Sequence, residues 1–420
     1  MSLESPKTEL PVALVQEDIA SGCGKLAPLK IAIIHPTNWP HVRRGTERFM
    51  NELALYLSRR GHKVKIICSH PGPRKIVHED GITKDYHRSL WNPFMARLGI
   101  LDFHVFPITT FTSLLRERFD LAHCFNFTDA LVAAWTRRIT GVRVVLHLTS
   151  IPPAVHYRRS LTVGGAILRR AIHAADELVT VGKVQQKYFE ARSGRAGTNM
   201  PGAVDMEAFL PSDFRDRDRP IIVCASALEE PRKGGKLLMR AFSRLKEIRP
   251  EVQLEVSGNV SDRLRSELFE LVAPPWRSDV HFLGAGEPGD LPRLFGRAAV
   301  VVVPSLWETI PLVILESLAT GTPVVATGEN GFHEVIRPGV GQTFEPGPPN
   351  AAEPSNVDGL VRALLDTLEL NQIPETPARC RAAAERYSWK FVGPQFEDIY
   401  RWALGGTLRP RRDFEEAKKS

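Results

Sequence analysis

Short β-branched runs alternate with amphipathic stretches along most of the chain. The first run, Lys30–His35, is closed by Pro36. After a loop, Gly45 opens a stretch with Phe49, Leu53, Ala54 and Leu57 at helical spacing. Gly61 ends that stretch and 63–68 follows, which predicts a β-α-β unit beginning a parallel sheet. Further strands are predicted over 121–124, 143–148 and 177–181, with helices over 129–138 and 166–174 between them. Segment 71–110, rich in Pro, His and Trp, shows no such period. Residues 211–219 (PSDFRDRDR) are charged and aperiodic and predict a linker. Beyond them the alternation resumes, with strands at 221–225, 253–256, 280–283, 300–303 and 323–326 and helices at 235–247, 262–271, 290–297 and 312–319. Amphipathic stretches at 357–368, 377–386 and 389–403 precede a charged tail.

Two alternating series predict an α/β protein of two Rossmann-like, doubly wound lobes facing a cleft. The expected boundaries are a disordered leader at 1–29, a first lobe at 30–205, a linker at 206–219 and a second lobe at 220–388. A helix and tail at 389–420 are expected to end the chain, the helix returning to the first lobe. The 420 residues, 43% hydrophobic and 25% charged, exclude a disulfide-stapled mini-protein, a fibrous repeat and a mostly disordered chain. Apolar runs such as 298–304 fall short of the roughly 20 residues that cross a bilayer.

The five cysteines (23, 68, 124, 224 and 380) are odd in number and contain no C-x-x-C pair. They read as buried thiols of a reducing compartment. The leader, with Lys7, acids and Pro11, lacks the shape of a signal peptide, so a cytoplasmic protein is expected. The net charge of +7 divides unevenly: residues 1–200 carry 28 Lys+Arg against 16 Asp+Glu, and the rest carry 27 against 32. A basic first lobe suits an anionic acceptor, an acidic membrane surface or nucleic acid. Arg43, Arg44, Arg48, Arg137, Arg138, Arg158, Arg159, Arg169 and Arg170 are its candidates, and scattered solvated arginines are the alternative.

Ligands of open parallel sheets bind at the carboxyl ends of strands. After 300–304 come Glu308 and Glu316, with Pro311 at an expected first helical turn. The free N–H groups of Leu312 and Val313 would face an anion there, and the carboxylates would accept sugar or ribose hydroxyls. The alternative gives Glu308 to the helix dipole and Glu316 to a solvated face. After 221–225 comes Arg232-Lys233-Gly234-Gly235, a phosphate cradle or a solvated basic turn, without the spacing of a Walker A loop. In the first lobe Gly45 opens a helix beside Arg43 and Arg44, and His147 ends a strand near the expected cleft floor. The D-x-D at Asp216–Asp218 lies in the linker and reads as a solubilising run, so no metal site is expected.

Taken in order, these pieces resemble the retaining glycosyltransferases of sequence family 4, with the two-lobed GT-B fold. The resemblance runs from Ile31 to Tyr400 and is strongest from Val280 to Ile336. It rests on VHFLG at 280–284, PSLWE at 304–308, the Glu308/Glu316 pair, GTPVVAT at 321–327, Asn330-Gly331 and Glu334. Arg232-Lys233-Gly234, PGAVD at 201–205, Arg44-Gly45-Thr-Glu-Arg with Leu53-Ala54, and RGHKV at 60–64 complete it.

The resemblance implies that Lys233, helped by Arg232, neutralises a nucleotide diphosphate. It implies that Glu316 accepts ribose hydroxyls, that Glu308 holds the donor sugar and that the amides after Pro311 bind phosphate or sugar. Gly45 would admit the diphosphate closely, and His147 would lie by the reacting sugar. Lys233, Glu308 and His147 are thus the expected catalytic residues, with Arg43 and Arg44 at the acceptor. The chain departs from the pattern at Arg44-Gly45, where a Gly pair is usual, and at Ile310-Pro311, where Phe-Gly is usual. Arg232 also stands in for an arginine expected near Ala227.

A retaining, metal-independent transfer from a nucleotide-diphosphate sugar follows, with no separate cofactor, to an acceptor that is anionic, glycan or lipid-linked. The enzyme would be cytoplasmic, extending to a peripheral place on a membrane. Nucleotide-sugar epimerases and glycan phosphorylases share the fold and stand as alternatives. A nucleic-acid partner is not expected, because no aromatics interleave the basic clusters.

Overall fold

A computed structural model of the protein describes residues 26–91, 93–97, 102–150, 163–212, 218–306, 308, 312–328, 332–347 and 356–407. The first lobe is built on β1 (Lys30–Ile34), β2 (Lys63–His70), β3 (Lys75–Glu79), β4 (Ile82–Arg88), β5 (Leu121–Cys124), β6 (Arg143–Leu148), β7 (Glu177–Thr180) and β8 (Thr198–Asn199). They form one sheet in the order β3-β4-β2-β1-β5-β6-β7-β8, parallel except for the β3–β4 hairpin. The second lobe has β9 (Ile221–Ala225), β10 (Gln253–Ser257), β11 (Val280–Gly284), β12 (Val300–Val303), β13 (Val324–Thr327) and β14 (Gly341–Phe344). Their order is β11-β10-β9-β12-β13-β14, all parallel. Strands such as β12, a run of four valines with every residue buried, are apolar on both faces because helices cover both sides of the sheet.

The fold class read from the sequence is the observed one. Four strands were not legible in it: β3 and β4 lie in the aperiodic segment 71–110, while β8 and β14 are short. Within the predicted linker Phe209 is buried, stacking on Phe295 at 6.4 Å, while Glu207, Ala208 and Leu210 beside it are exposed. Residues 213–217 lie outside the described part.

The chain crosses between lobes twice, and the crossings run side by side. The Val204 amide donates to the Tyr387 carbonyl at 2.9 Å, and Val204 bridges to Ser388. Arg381 fastens this junction by donating to the carbonyls of Met206, Phe209 and Ala319 at 2.8–2.9 Å. The last helix, Trp389–Ala403, then lies on the first lobe. Arg60 Nε donates to Glu397 Oε1 at 2.6 Å, Tyr400 hydroxyl meets His123 Nδ1 at 2.8 Å, and Phe396 packs on Phe49. One core cluster consequently runs through both lobes, from Ile31 and Phe49 to Val301, Leu315 and Phe396.

The four described cysteines, Cys68, Cys124, Cys224 and Cys380, are buried free thiols. No helix among the described residues is long and apolar enough to cross a membrane.

Candidate functional site

The second sheet reverses its strand order between β9 and β12, the switch point where ligands of such sheets bind. The loop after β9 enters a single 3-10 turn, Pro231–Lys233, which Gly234 ends with φ +74° before the helix Gly235–Ile248. This loop is locked to the one after β12. The Leu306 amide donates to the Arg232 carbonyl at 2.7 Å, and a Cβ on Gly234 would stand 2.0 Å from the Pro304 carbonyl oxygen. Only glycine combines that φ with so close an approach.

The locked turn brings three predicted residues together. Arg232 Nη1 lies 2.9 Å from Glu308 Oε2, and Lys233 Nζ pairs with the same oxygen. Arg232 also reaches Glu230 Oε2 at 2.7 Å. Two cations converging on one oxygen at a strand end form a site ready for a multiply charged anion.

Glu316 lies elsewhere in the cleft. It sits on the helix Leu312–Ala319, is 2% exposed, and its Oε1 is 2.7 Å from Arg48 Nη1 of the first lobe. Burial pushes its carboxyl up to about 7, with Arg48 pulling down and Glu52 adding to the rise. Arg48 Nε also donates to Glu52 Oε1 at 2.8 Å, and Trp389 Nε1 donates to Glu52 Oε2 at 3.0 Å. The Arg48 guanidinium stands over the Phe209 ring at 5.1 Å. One arginine thus joins the first helix, the Glu316 helix, the crossover and the closing helix. Leu312 and Val313 are half-buried at the start of the Glu316 helix, Leu312 packed closely on Gly202, while Pro311 lies outside the described residues, as do Asn330 and Gly331.

On the first lobe, Gly45 is exposed and a Cβ there would meet nothing within 4 Å, so the space before the helix Gly45–Arg59 is open. Arg44 is exposed beside it. Arg43 instead spans the cleft, donating to the Gly286 carbonyl and to Glu287 Oε2, both at 3.0 Å. His147, expected near the cleft floor, is 1% exposed within a cluster of rings. Its neighbours are His123, stacked at 5.4 Å, with Phe125, Phe49 and Phe396 of the closing helix. Neither of its nitrogens has a hydrogen-bond partner, and burial holds the ring neutral by lowering its pKa to about 3.

The basic arginines of the first lobe do not act as one group. Arg43, Arg48 and Arg137 are engaged by Glu287, by Glu52 and Glu316, and by Asp176. Arg158 and Arg159 lie outside the described residues. Sequence reasoning missed Glu52 and Trp389 and listed Arg48 only for its charge. The available signal was that 48 and 52 flank the apolar stripe of Phe49 and Leu53 one turn apart. Among the described residues no three His, Cys, Asp or Glu side chains gather as metal ligands would.

Two facing parallel sheets, a closing helix that returns to the first lobe and a cationic switch point define a GT-B glycosyltransferase. Residues 219–369 match the model for glycosyl transferases group 1, and residues 43–206 match that for glycosyltransferase family 4. The protein is accordingly a glycosyltransferase of the family 4 type.

A phosphatidyl-myo-inositol mannosyltransferase from Mycobacterium tuberculosis is 28% identical over 257 residues, 60% of this chain and 66% of that protein. One of the same description from Propionibacterium freudenreichii is 23% identical over 369 residues, 85% of this chain and 91% of that one. Among solved structures, sucrose-phosphate synthase from Thermosynechococcus elongatus superposes with a TM-score of 0.73 at 19% identity, covering 88% of this chain and 98% of that one.

Proposed function

We propose that the protein transfers a sugar, with retention and without a metal, from a nucleotide-diphosphate donor in the second lobe to a hydroxyl of an anionic, membrane-linked acceptor. The observation that carries this reading is the pair of cations, Arg232 and Lys233, converging on Glu308 Oε2 at the β9–β12 switch point. A diphosphate brings more negative charge than one carboxylate and replaces Glu308 on these cations. Glu308 is then free to accept hydroxyls of the donor sugar. As the glycosidic bond breaks, charge builds on the leaving diphosphate, where Lys233 and Arg232 are already fixed. The leaving phosphate oxygen takes the acceptor proton on the same face. Glu316, held by Arg48, accepts the ribose hydroxyls.

Arg44, exposed at the open start of the first helix, faces an acceptor anion, and the phosphatidyl-inositol acceptors named for the relatives support that choice of chemistry. His147 has a different task in this reading: it holds the closing helix through Phe396. The test is a thermal-shift panel of UDP, GDP, ADP, dTDP and CDP in EDTA, with Lys233→Ala and Glu316→Ala beside the unaltered protein. One nucleotide should raise Tm selectively, and both variants should lose the shift. A panel without any shift refutes the donor site.

A further inference from the structure

The helix Pro107–Arg116 is built inside out. Thr109, Thr110 and Ser113 face inward with Leu114, while Ile108, Phe111 and Leu115 are exposed at i, i+3 and i+7. A helix that buried its apolar stripe would reverse this pattern. The inward hydroxyls are committed: Thr110 Oγ1 donates to the buried Asp129 Oδ1 at 2.7 Å, which fixes the rotation of the helix and turns its apolar stripe outward. The neighbouring helix Phe127–Thr140 continues the theme, with Trp135 and Ile139 65% and 66% exposed one turn apart.

The exposed charge carried by the helices of this surface has one sign. The three helices of this layer, Pro107–Arg116, Phe127–Thr140 and Val163–Ala174, contain a single acid, Asp129, which is fully buried. Arg116, Arg138, Arg169 and Arg170 are exposed on them. Large exposed apolar side chains among unopposed arginines match the two contributions of an anionic bilayer surface, interfacial insertion and attraction to lipid headgroups. A protein partner would be expected to meet acids as well as cations here.

We infer that the outer face of these three helices docks on an anionic lipid bilayer, with Trp135, Ile139 and the stripe from Ile108 to Leu115 entering the interface and the arginines meeting the headgroups. The inference extends the proposed transfer to a lipid-linked acceptor and rests on that reading for its purpose, although the docking itself does not depend on the donor chemistry.

The test is sedimentation of the full chain with phosphatidylcholine vesicles containing or lacking phosphatidylglycerol, at low and high salt. Binding is expected only with phosphatidylglycerol and to weaken with salt. The triple variant Arg138→Ala/Arg169→Ala/Arg170→Ala should bind about 100-fold more weakly, at about 1 kcal/mol for each charge near the surface. The double variant Trp135→Ser/Ile139→Ser should lose binding while keeping the parent Tm, since both side chains are exposed.

No vesicle binding by the unaltered chain, or equal binding by both variants, overturns the inference. A dimer in solution that the double variant makes monomeric, without vesicle binding, also overturns it and gives the face to a second copy. Nucleotide shifts measured on the same preparations separate a failed docking surface from a failed donor site.

Discussion

Arg48 Nη1 lies 2.7 Å from Glu316 Oε1, and this contact joins a helix of the first lobe to the helix Leu312–Ala319 of the second. Arg48 is the cation for two buried carboxylates, Glu316 and Glu52. Arg48→Met would leave both without a cation, Glu52 keeping only the Trp389 N–H, and losing one member of a buried pair costs about 3–5 kcal/mol. Denaturant unfolding of this variant should show a loss of that size, with a smaller loss for Arg48→Lys. Stability equal to the parent would mean that the carboxylates are already neutral without Arg48.

Lys233 and Arg232 share Glu308, so their removal acts on binding more than on folding. Lys233→Ala should lower nucleotide affinity roughly tenfold to a hundredfold, because charge-assisted bonds to an anion contribute about 1.5–3 kcal/mol. Calorimetric titration with the nucleotide found in the panel measures this. An unchanged affinity would move the diphosphate away from the turn.

Gly234 tests the backbone of the same turn. At φ +74°, with the Pro304 carbonyl oxygen 2.0 Å from a would-be Cβ, Gly234→Ala forces the two strand-end loops apart. Nucleotide binding should fall at least as far as in Lys233→Ala, and unfolding should show a loss of about 1–3 kcal/mol. Gly45→Ala, with open space around it, should leave stability unchanged.

Burial raises two carboxyls, Asp129 and Glu316, to about 7. In this situation the native state holds protons that the unfolded chain has released, so stability is greatest below the ordinary carboxyl range and falls as pH rises toward 7. Each group contributes a slope of about 1.4 kcal/mol per pH unit in that window. Asp129→Asn should remove its share of the slope in Tm against pH. Nucleotide affinity should rise between about pH 6 and 8 as Glu316 ionises, and Glu316→Gln should flatten that rise. Affinity independent of pH in the parent would exclude an ionising Glu316 from nucleotide binding.

Much of the fold was legible because its buried strands are local signals. The four valines of β12 and the alternation around them need no distant partner to be recognised. The β3–β4 hairpin was missed although its turn carries a known signature: Asp80 and Gly81 both have positive φ, at 51° and 76°, and join Glu79 to Ile82. Its outer strand, KIVHE, has no buried residue, so no apolar alternation marked it. Arg232, Lys233 and Glu308 could be picked out because each follows a strand. The pairing of Arg48 with Glu316 could not, since it exists only once the lobes are apposed. The same holds for His147, one of whose ring neighbours, Phe396, lies about 250 residues further along the chain.

That separation has a consequence for how the molecule is made. Phe396 and Tyr400 complete the packing around Phe49, His123 and His147, yet they are translated after the entire second lobe. A first lobe leaving the ribosome therefore shows an apolar, aromatic face with nothing from its own sequence to cover it. It must keep that face out of other associations until the helix Trp389–Ala403 has been made. Truncations that end before Trp389 would be expected to aggregate rather than yield an isolated lobe, because the helix Trp389–Ala403 is what closes the first lobe's aromatic face.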